Sequence, residues 1–294
     1  MALLRNAASR ISGASVQEAQ SPIGDAYEPG FFINAVRRQD AVPERRRFEA
    51  GFVHGSALVD VCPRQHVLAA MAGTSYRRVY GPERIVWALG RAAESHVRNQ
   101  YLESVGRLGA YGAWECACKR VSYTGLFTPA ARVCVACGEH PARYREAPYL
   151  DRDAHISGSP DLQLVNRSGR FLIVEAKSMQ EKDFRPLDAP LANHVFQAML
   201  YRRLAEYNGK AVMSGVLVVY VSKQYNFKTP YKEFYVEASP MYEGMLDYAW
   251  EQAASIRRGI EANTVDGMDR MCRSQDVTRA KGCPVSSSCF MRRA

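Results

Sequence analysis

The hydrophobic rhythm of the chain changes several times, and the predicted elements follow those changes. Residues 1–50 show little periodicity. From Leu58 the stretch LVDVCPRQHVLAAM is helical, and Pro63 suits a first turn, where no intrahelical N–H is required. Gly81-Pro82 opens a long helix over roughly 82–105, with Trp87, Leu89, Val97, Tyr101 and Leu102 as its apolar contacts. Residues 153–177, DAHISGSPDLQLVNRSGRFLIVEAK, predict two strands joined by a tight turn at Asn166-Arg167-Ser168-Gly169. The run Phe171 to Val174 is apolar at every position, as expected of a buried strand. A helix over 189–207 carries Leu191, Val195, Phe196, Met199, Leu200 and Leu204 as core and closes at Asn208-Gly209. GVLVVYVS (215–222) reads as a buried strand, YKEFYVEA (231–238) as its half-buried partner, and a helix near 240–260 follows.

The buried strand ends in Glu175-Ala176-Lys177, which puts two charges where packing alone would not place them. Asp161 follows Pro160 on the preceding strand. Asp161 and Glu175 can hold a hard divalent cation by oxygen, with the carbonyl of Ala176 nearby. Mg²⁺ is bound in this way, by few protein carboxylates and retained waters. Such an ion polarises a phosphate and makes a nucleophile of water. Lys177 is two residues from Glu175, so in a strand both side chains take the same face. It can orient the attacking water or meet charge on the phosphate. The plainer reading of the same residues is a hairpin with a surface Glu–Lys pair.

Ser157-Gly158-Ser159-Pro160-Asp161, then Glu175-x-Lys177, resembles the PD-(D/E)XK nuclease superfamily. Gln197-Ala-Met-Leu-Tyr201 follows in the expected order and resembles the QxxxY motif of the RecB-like branch. The resemblance spans about 58–290 apart from one insertion. It implies an α/β fold, a restriction-endonuclease-like mixed sheet flanked by helices. It implies Asp161, Glu175 and Lys177 as catalytic, with Gln197 and Tyr201 approaching the substrate strand or orienting the catalytic groups. RecB-like relatives carry GxxxH on the first long helix, with the His on the metal. Here GxxxE places Glu94 at that position, and His96 comes two residues later. Residues two apart on a helix do not share a face. One of the two is therefore expected at the metal, and a carboxylate suits Mg²⁺ better.

Charge and cysteines add to this picture. The net charge of +9 over 294 residues favours a polyanionic partner, without choosing DNA over RNA or an acidic membrane. No run is long and apolar enough to span a bilayer. Arg37, Arg38, Arg45, Arg46 and Arg47 form a basic segment suited to a nucleic-acid backbone or to a solvated arm. Lys223 to Lys228 mix basic and aromatic residues, as a single-strand contact or a plain hairpin loop would. Glu146 is a candidate accessory carboxylate, and His155 reads as a polar strand residue.

The eight cysteines cluster, which argues for metal over disulfides and for a reducing, cytoplasmic compartment. The N-terminus MALLRNAASRISGAS has Arg, Ser and Ala without an acid, a composition shared with organelle transit peptides. Cys116-x-Cys118 and Cys134-x-x-Cys137, with fifteen residues between, read as a Zn²⁺ ribbon whose fold needs its metal. Lys119, Arg120 and Arg132 in that insert could grip DNA or simply solubilise it. Cys62 near the start and Cys272, Cys283 and Cys289 near the end form a second set. Their layout resembles RecB-like iron–sulfur nucleases, including the CRISPR-associated ones, and implies a [4Fe–4S] cluster that staples the two ends of the chain. A second zinc site is the rival, since thiolates alone do not separate the two.

The expected organisation is an N-terminal extension (1–50), the first part of the nuclease domain (51–113), the zinc-ribbon insertion (114–140), the nuclease core (141–262) and a C-terminal iron–sulfur segment (263–294). The expected activity is metal-dependent hydrolysis of DNA phosphodiesters with Mg²⁺ or Mn²⁺. The family resemblance implies exonuclease action on single-stranded DNA or DNA ends in recombination, replication or repair, with a recombination or replication protein as a possible partner. An endonuclease on structured DNA or RNA and a non-catalytic DNA-end-binding subunit are the alternatives.

Overall fold

The computed structural model describes residues 52–73, 81–103, 107–127, 133–134, 137–138, 143–224 and 230–291. The N-terminal basic segment, Arg132 and the basic–aromatic loop from Tyr225 to Lys228 lie outside the described residues.

Strand β8 (Phe171–Met179) is the axis of the fold. Its first six residues are buried, so it has apolar layers on both faces and reads as a continuous hydrophobic run. β7 (Leu162–Val165) pairs with it antiparallel through the turn at Asn166. The Gly169 N–H donates to the Asn166 carbonyl, and Gly169 has φ +78°, which a side chain would strain. On the other side β9 (Val212–Ser222) runs parallel to β8. A parallel pair needs a crossover, supplied here by α4 (Glu181–Phe184) and α5 (Ala192–Tyr207). β10 (Tyr231–Glu237) pairs antiparallel with β9 at one edge. At the other side β2 (Gly109–Glu115) pairs with β7, and β3 (Val121–Leu126) and β4 (Arg143–Arg145) both pair with β2. The result is a seven-stranded mixed sheet.

Alternation along the strands sorts side chains between two cores. Ile173, Val216, Val218 and Tyr220 pack with Phe196, Leu200 and Leu204 of α5. That layer continues to Leu246 and Ile256 of α6 (Pro240–Ala262) and Val67 of α2 (Pro63–Met71). Leu172, Val174, Leu162 and Leu164 face the opposite way, toward Trp114 and Leu102, the latter at the end of α3 (Gly81–Glu103). A small sheet of β1 (Val53–His54), β6 (Ile156–Gly158) and β5 (Tyr149–Asp151) sits under α5, with α1 (Gly55–Leu58) beside it.

The long periodic segments form where the pattern places them, with two exceptions in packing. Leu89 and Leu191, expected as apolar contacts, are 58% and 40% exposed. Leu191 is the N-cap of α5, one residue before the helix, where the side chain has left the core stripe. The stretch 153–165 is two strands in two sheets, broken at Ser159-Pro160-Asp161, because Pro160 cannot donate to a ladder. Part of the insertion also belongs to the main sheet, since β3 is hydrogen-bonded along β2 from Val121 to Leu126. Among the described residues no helix is long and apolar enough to cross a membrane.

Glycines let the layers meet closely beneath α5. A Cβ on Gly158 would lie 2.5 Å from Tyr201 Cε1, and one on Gly55 would lie 2.6 Å from Leu200 Cδ2. Overpacking of this kind costs about 1–3 kcal/mol. Gly158→Ala is expected to lower the unfolding free energy by about that amount, read by urea denaturation at unchanged m-value.

Candidate active site

The strand register creates the site. Leu162 is level with Val174, so Asp161, one residue earlier, comes level with Glu175 at the end of the β7–β8 ladder. The Ala176 N–H donates to Asp161 Oδ2 at 2.8 Å and fixes that carboxylate. Glu175 lies two residues beyond Ile173 and so takes the face covered by α5. It is 1% exposed. Lys177 shares that face, and its Nζ stands 2.5 Å from Glu175 Oε1 as an ion pair. Glu175 Oε2 has no hydrogen-bond partner among the described residues.

Helix α3 adds a third carboxylate. Glu94 accepts a hydrogen bond from the Ser178 backbone and is within electrostatic reach of Asp161, Lys177 and Lys223. Gly90, one turn before it, lets the helix approach β8: a Cβ there would stand 3.3 Å from Ser178 Oγ. His96, two residues on, is exposed. Glu146, after β4, feels the charges of Asp161 and Glu94, and Arg98 of α3 pairs with it at 2.7 Å. His155 is held elsewhere, its ring stacked on Phe52 at 5.0 Å between centroids.

These four carboxylates are costly to ionise together. Burial, then Asp161, push Glu175 up to about 8. Burial, again with Asp161 beside it, pushes Glu146 up to about 7 despite Arg98. Burial raises Asp161, against Lys177 and the Ala176 N–H, and burial with Asp161 raises Glu94. For Lys177 burial favours the neutral amine, but Glu175 and Asp161 outweigh it and the ammonium is held. The strand does not end at Glu175-Ala176-Lys177 as expected but runs on to Met179, held by its pairing with β9, and only the β7 ladder stops there. A buried carboxylate oxygen without a donor, among like charges where that ladder stops, is a donor set that a divalent cation fits. Asp161, Glu175 and the Ala176 carbonyl are the residues that would hold it, with Glu94 beside them.

Helix α5 covers the site. Gln197 Nε2 donates to Tyr201 OH at 3.1 Å, one turn apart. Tyr201 is only 2% exposed, wedged against Gly158 and Gly55, so Gln197 is the outer member of the pair. His194, three residues before Gln197, was not singled out by motif reasoning. Its Nδ1 stands 2.9 Å from Tyr220 OH, and burial with the Lys177 charge pushes it down to about 4. The available signal was its spacing from Gln197 and Tyr201, which places all three on one helical face.

The two cysteine sets differ in geometry. The sulfurs of Cys116, Cys118, Cys134 and Cys137 all lie within 4.8 Å of one another, with Cys116–Cys137 at 3.4 Å and Cys118–Cys134 at 3.8 Å. A tetrahedral zinc at about 2.3 Å from each thiolate spaces its sulfurs about 3.8 Å apart. Cys62, Cys272, Cys283 and Cys289 line one cavity, together with Gln65 and Arg279 among others. Each of Cys62 and Cys283 is raised by burial and then by other cysteines of the set. The four sulfurs of this set do not gather within 4.8 Å of one another as those of the first set do. Cys62 is the N-cap of α2, and Arg64 in the next turn, fully buried, donates to the carbonyls of Val265 and Met268. Arg279 pairs with Asp60 at 2.7 Å. These bonds bring the chain's late segment to the start of α2.

A model of the PD-(D/E)XK nuclease superfamily matches residues 59–290. The chain belongs to that superfamily, whose members are nucleases that use divalent metal ions. Comparison with curated protein sequences gives no significant match. Among solved structures, the chain is similar to an alkaline exonuclease (LHK-Exo) from Laribacter hongkongensis, at 13% identity and a TM-score of 0.41, over 78% of this chain and 95% of that one. A second similar structure is that of SSO0001, at 13% identity and a TM-score of 0.39, over 77% of this chain and 87% of that one.

The raised carboxyl groups set the pH dependence of the metal-free protein. An acid raised from 4.5 to about 8, as Glu175 is, contributes stability that is fully present below pH 4.5 and lost as pH rises through about 8. Glu175→Gln cannot ionise. It is expected to melt several degrees above the wild type at pH 8 in chelator, with the difference vanishing near pH 4.5, read by calorimetry across that range.

Proposed function

We propose that this protein is a metal-dependent DNA exonuclease that acts on single strands or DNA ends. The observation that carries the reading is the convergence of Asp161, just before β7, with Glu175 and protonated Lys177 in mid-β8, beyond the β7–β8 ladder and under a helix bearing Gln197 and Tyr201. A bound divalent ion supplies Lewis acidity to a phosphate oxygen and acidifies a water. The protein's own residues do the rest. The Ala176 N–H holds Asp161 in one orientation by Oδ2, and its other oxygen would be the one to hold a cation. Glu175 takes the buried position, where its charge is worth most. Lys177 remains an ammonium and donates to the attacking water or to a non-bridging oxygen as charge develops there. Tyr201 fixes the side-chain amide of Gln197, and that amide meets the strand. The net charge of +9 attracts the phosphodiester backbone from a distance.

The thiolate sets are assigned to two different cofactors. The close spacing of Cys116, Cys118, Cys134 and Cys137 supports one structural zinc. The wider set of Cys62, Cys272, Cys283 and Cys289 supports a [4Fe–4S] cluster, because a cubane bound at its corners needs its sulfurs farther apart than a single ion does. The cluster ties α2 to the C-terminal segment and acts as a staple.

Asp161→Ala and Glu175→Ala are expected to abolish cleavage of end-labelled DNA in Mn²⁺ while DNA binding persists, since each removes a metal ligand and leaves the basic surface. Linear DNA should be degraded and covalently closed circles spared; cutting of circles would make the protein an endonuclease. Protein purified without oxygen is expected to be brown with one zinc per chain. Cys272→Ser should bleach the colour without removing the zinc, and Cys134→Ser should do the reverse, read by visible absorption and metal analysis.

A further inference from the structure

His194 occupies the first turn of α5, beside the site but outside its motifs. We infer that His194 is a substrate contact, a neutral imidazole whose Nε2–H donates to a non-bridging phosphate oxygen of the bound strand, next to the one met by Lys177. This rests on the nuclease reading of the same site.

The placement follows from the sheet. Tyr220 of β9 is the register partner of Lys177 on β8. Neighbours in a parallel pair project from the same face, so the phenol rises beside the lysine toward α5. Tyr220 is fully buried, and its hydroxyl accepts the Leu191 N–H at 2.9 Å. The hydroxyl proton then needs an acceptor of its own, and His194 Nδ1 at 2.9 Å is the one within reach among the described residues. If Nδ1 carried the proton, two N–H groups would point at one phenol oxygen and the phenol proton would have no acceptor. Hydrogen-bond satisfaction therefore makes Nδ1 the acceptor and leaves the ring proton on Nε2.

That Nε2–H donates to no described residue. A histidine serving only the core would have its second nitrogen satisfied inside. A metal ligand or general base would need a lone pair on the outward nitrogen, and here that nitrogen carries the proton. Burial and the Lys177 ammonium disfavour a second proton, so the ring stays neutral at working pH. What remains is a donor without charge, one turn from Gln197 and within electrostatic reach of Lys177. It adds a hydrogen bond to an anionic oxygen without adding a repulsive charge to a cation site.

The test separates donor from bulk. His194→Phe keeps the ring volume without the donor, and His194→Gln returns an amide N–H close to the Nε2 position. DNA binding is measured in Ca²⁺ with a short single strand, and cleavage in Mn²⁺. A hydrogen bond to a charged group corresponds to about 10- to 100-fold in affinity. His194→Phe is expected to weaken binding by that factor, and His194→Gln to recover most of it. A set of strands, each with a single methylphosphonate, should contain one position that weakens the wild type but not His194→Phe. Nitrogen-15 NMR reads the tautomer. An Nε2-protonated ring assigned by its loss in His194→Phe is expected, and an Nδ1-protonated ring or an imidazolium at pH 7 would overturn the inference. So would wild-type binding by His194→Phe, or methylphosphonate effects identical in the two proteins. Wild-type protein that binds DNA without cutting it fails the nuclease reading alone, because the phosphate contact is read from binding.

Discussion

Glu175 is a carboxylate in the middle of β8, one residue past its last pairing with β7, on a stretch buried on both faces, and the rest of the structure answers to that position. Water does not solvate it, and one of its oxygens has no hydrogen-bond partner among the described residues. Left alone, the group holds its proton to about pH 8. Its ionised form is stabilised by the Lys177 ammonium and, in the proposed reading, by a cation shared with Asp161. A protein that needed only a stable sheet would place Val or Ile there. The burial is therefore a cost to folding, and in the proposed reading metal binding offsets it, which would make the cation a part of the fold as well as of the chemistry.

Each layer delivers one component to that point. The β7–β8 register brings Asp161 level with Glu175, and the Ala176 N–H locks it. The parallel β8–β9 pair sets Tyr220 beside Lys177, and the crossover this pairing requires is α5, which carries His194, Gln197 and Tyr201. Gly55 and Gly158 let α5 sit low enough for Tyr201 to be buried. α3 approaches from the opposite core through Gly90 and brings Glu94 and Arg98. Neither thiolate set includes a carboxylate of the site. One closes the loops at the ends of β2 and β3, and the other closes the C-terminal segment onto α2. In the proposed reading both hold the scaffold and leave the hydrolysis to the carboxylate site.

Much of this was legible in the order of residues. The apolar run ending in Glu175-Ala176-Lys177, with Asp161 before it, carried both the central strand and the candidate metal ligands. The 3.6-residue period carried α5 and α6, and the cysteine spacing carried the tight thiolate set. Other features were hidden for physical reasons. Periodicity cannot tell an apolar residue that faces a neighbour from one that faces water, so Leu89 and Leu191 read as core. The break at Pro160 reassigns half of one apparent strand to another sheet, a matter of tertiary pairing. Arg98–Glu146 joins residues 48 apart, and His194–Tyr220 residues 26 apart. Such pairs have no local signature; the register of two strands makes them.

The most direct test of the account is calorimetric titration of the metal-free protein with Mn²⁺ at pH 7 in buffers of different ionisation enthalpy. Burial leaves Glu175 and Glu146 partly protonated there, so binding should release protons, seen as an apparent enthalpy that varies with the buffer. The release should fall as the pH rises above about 8, where both groups are already ionised. Glu175→Gln should bind far more weakly. Mn²⁺ bound equally well by Glu175→Gln, or bound with no proton release at pH 7, would contradict the claim that the buried carboxylate is the cation's ligand.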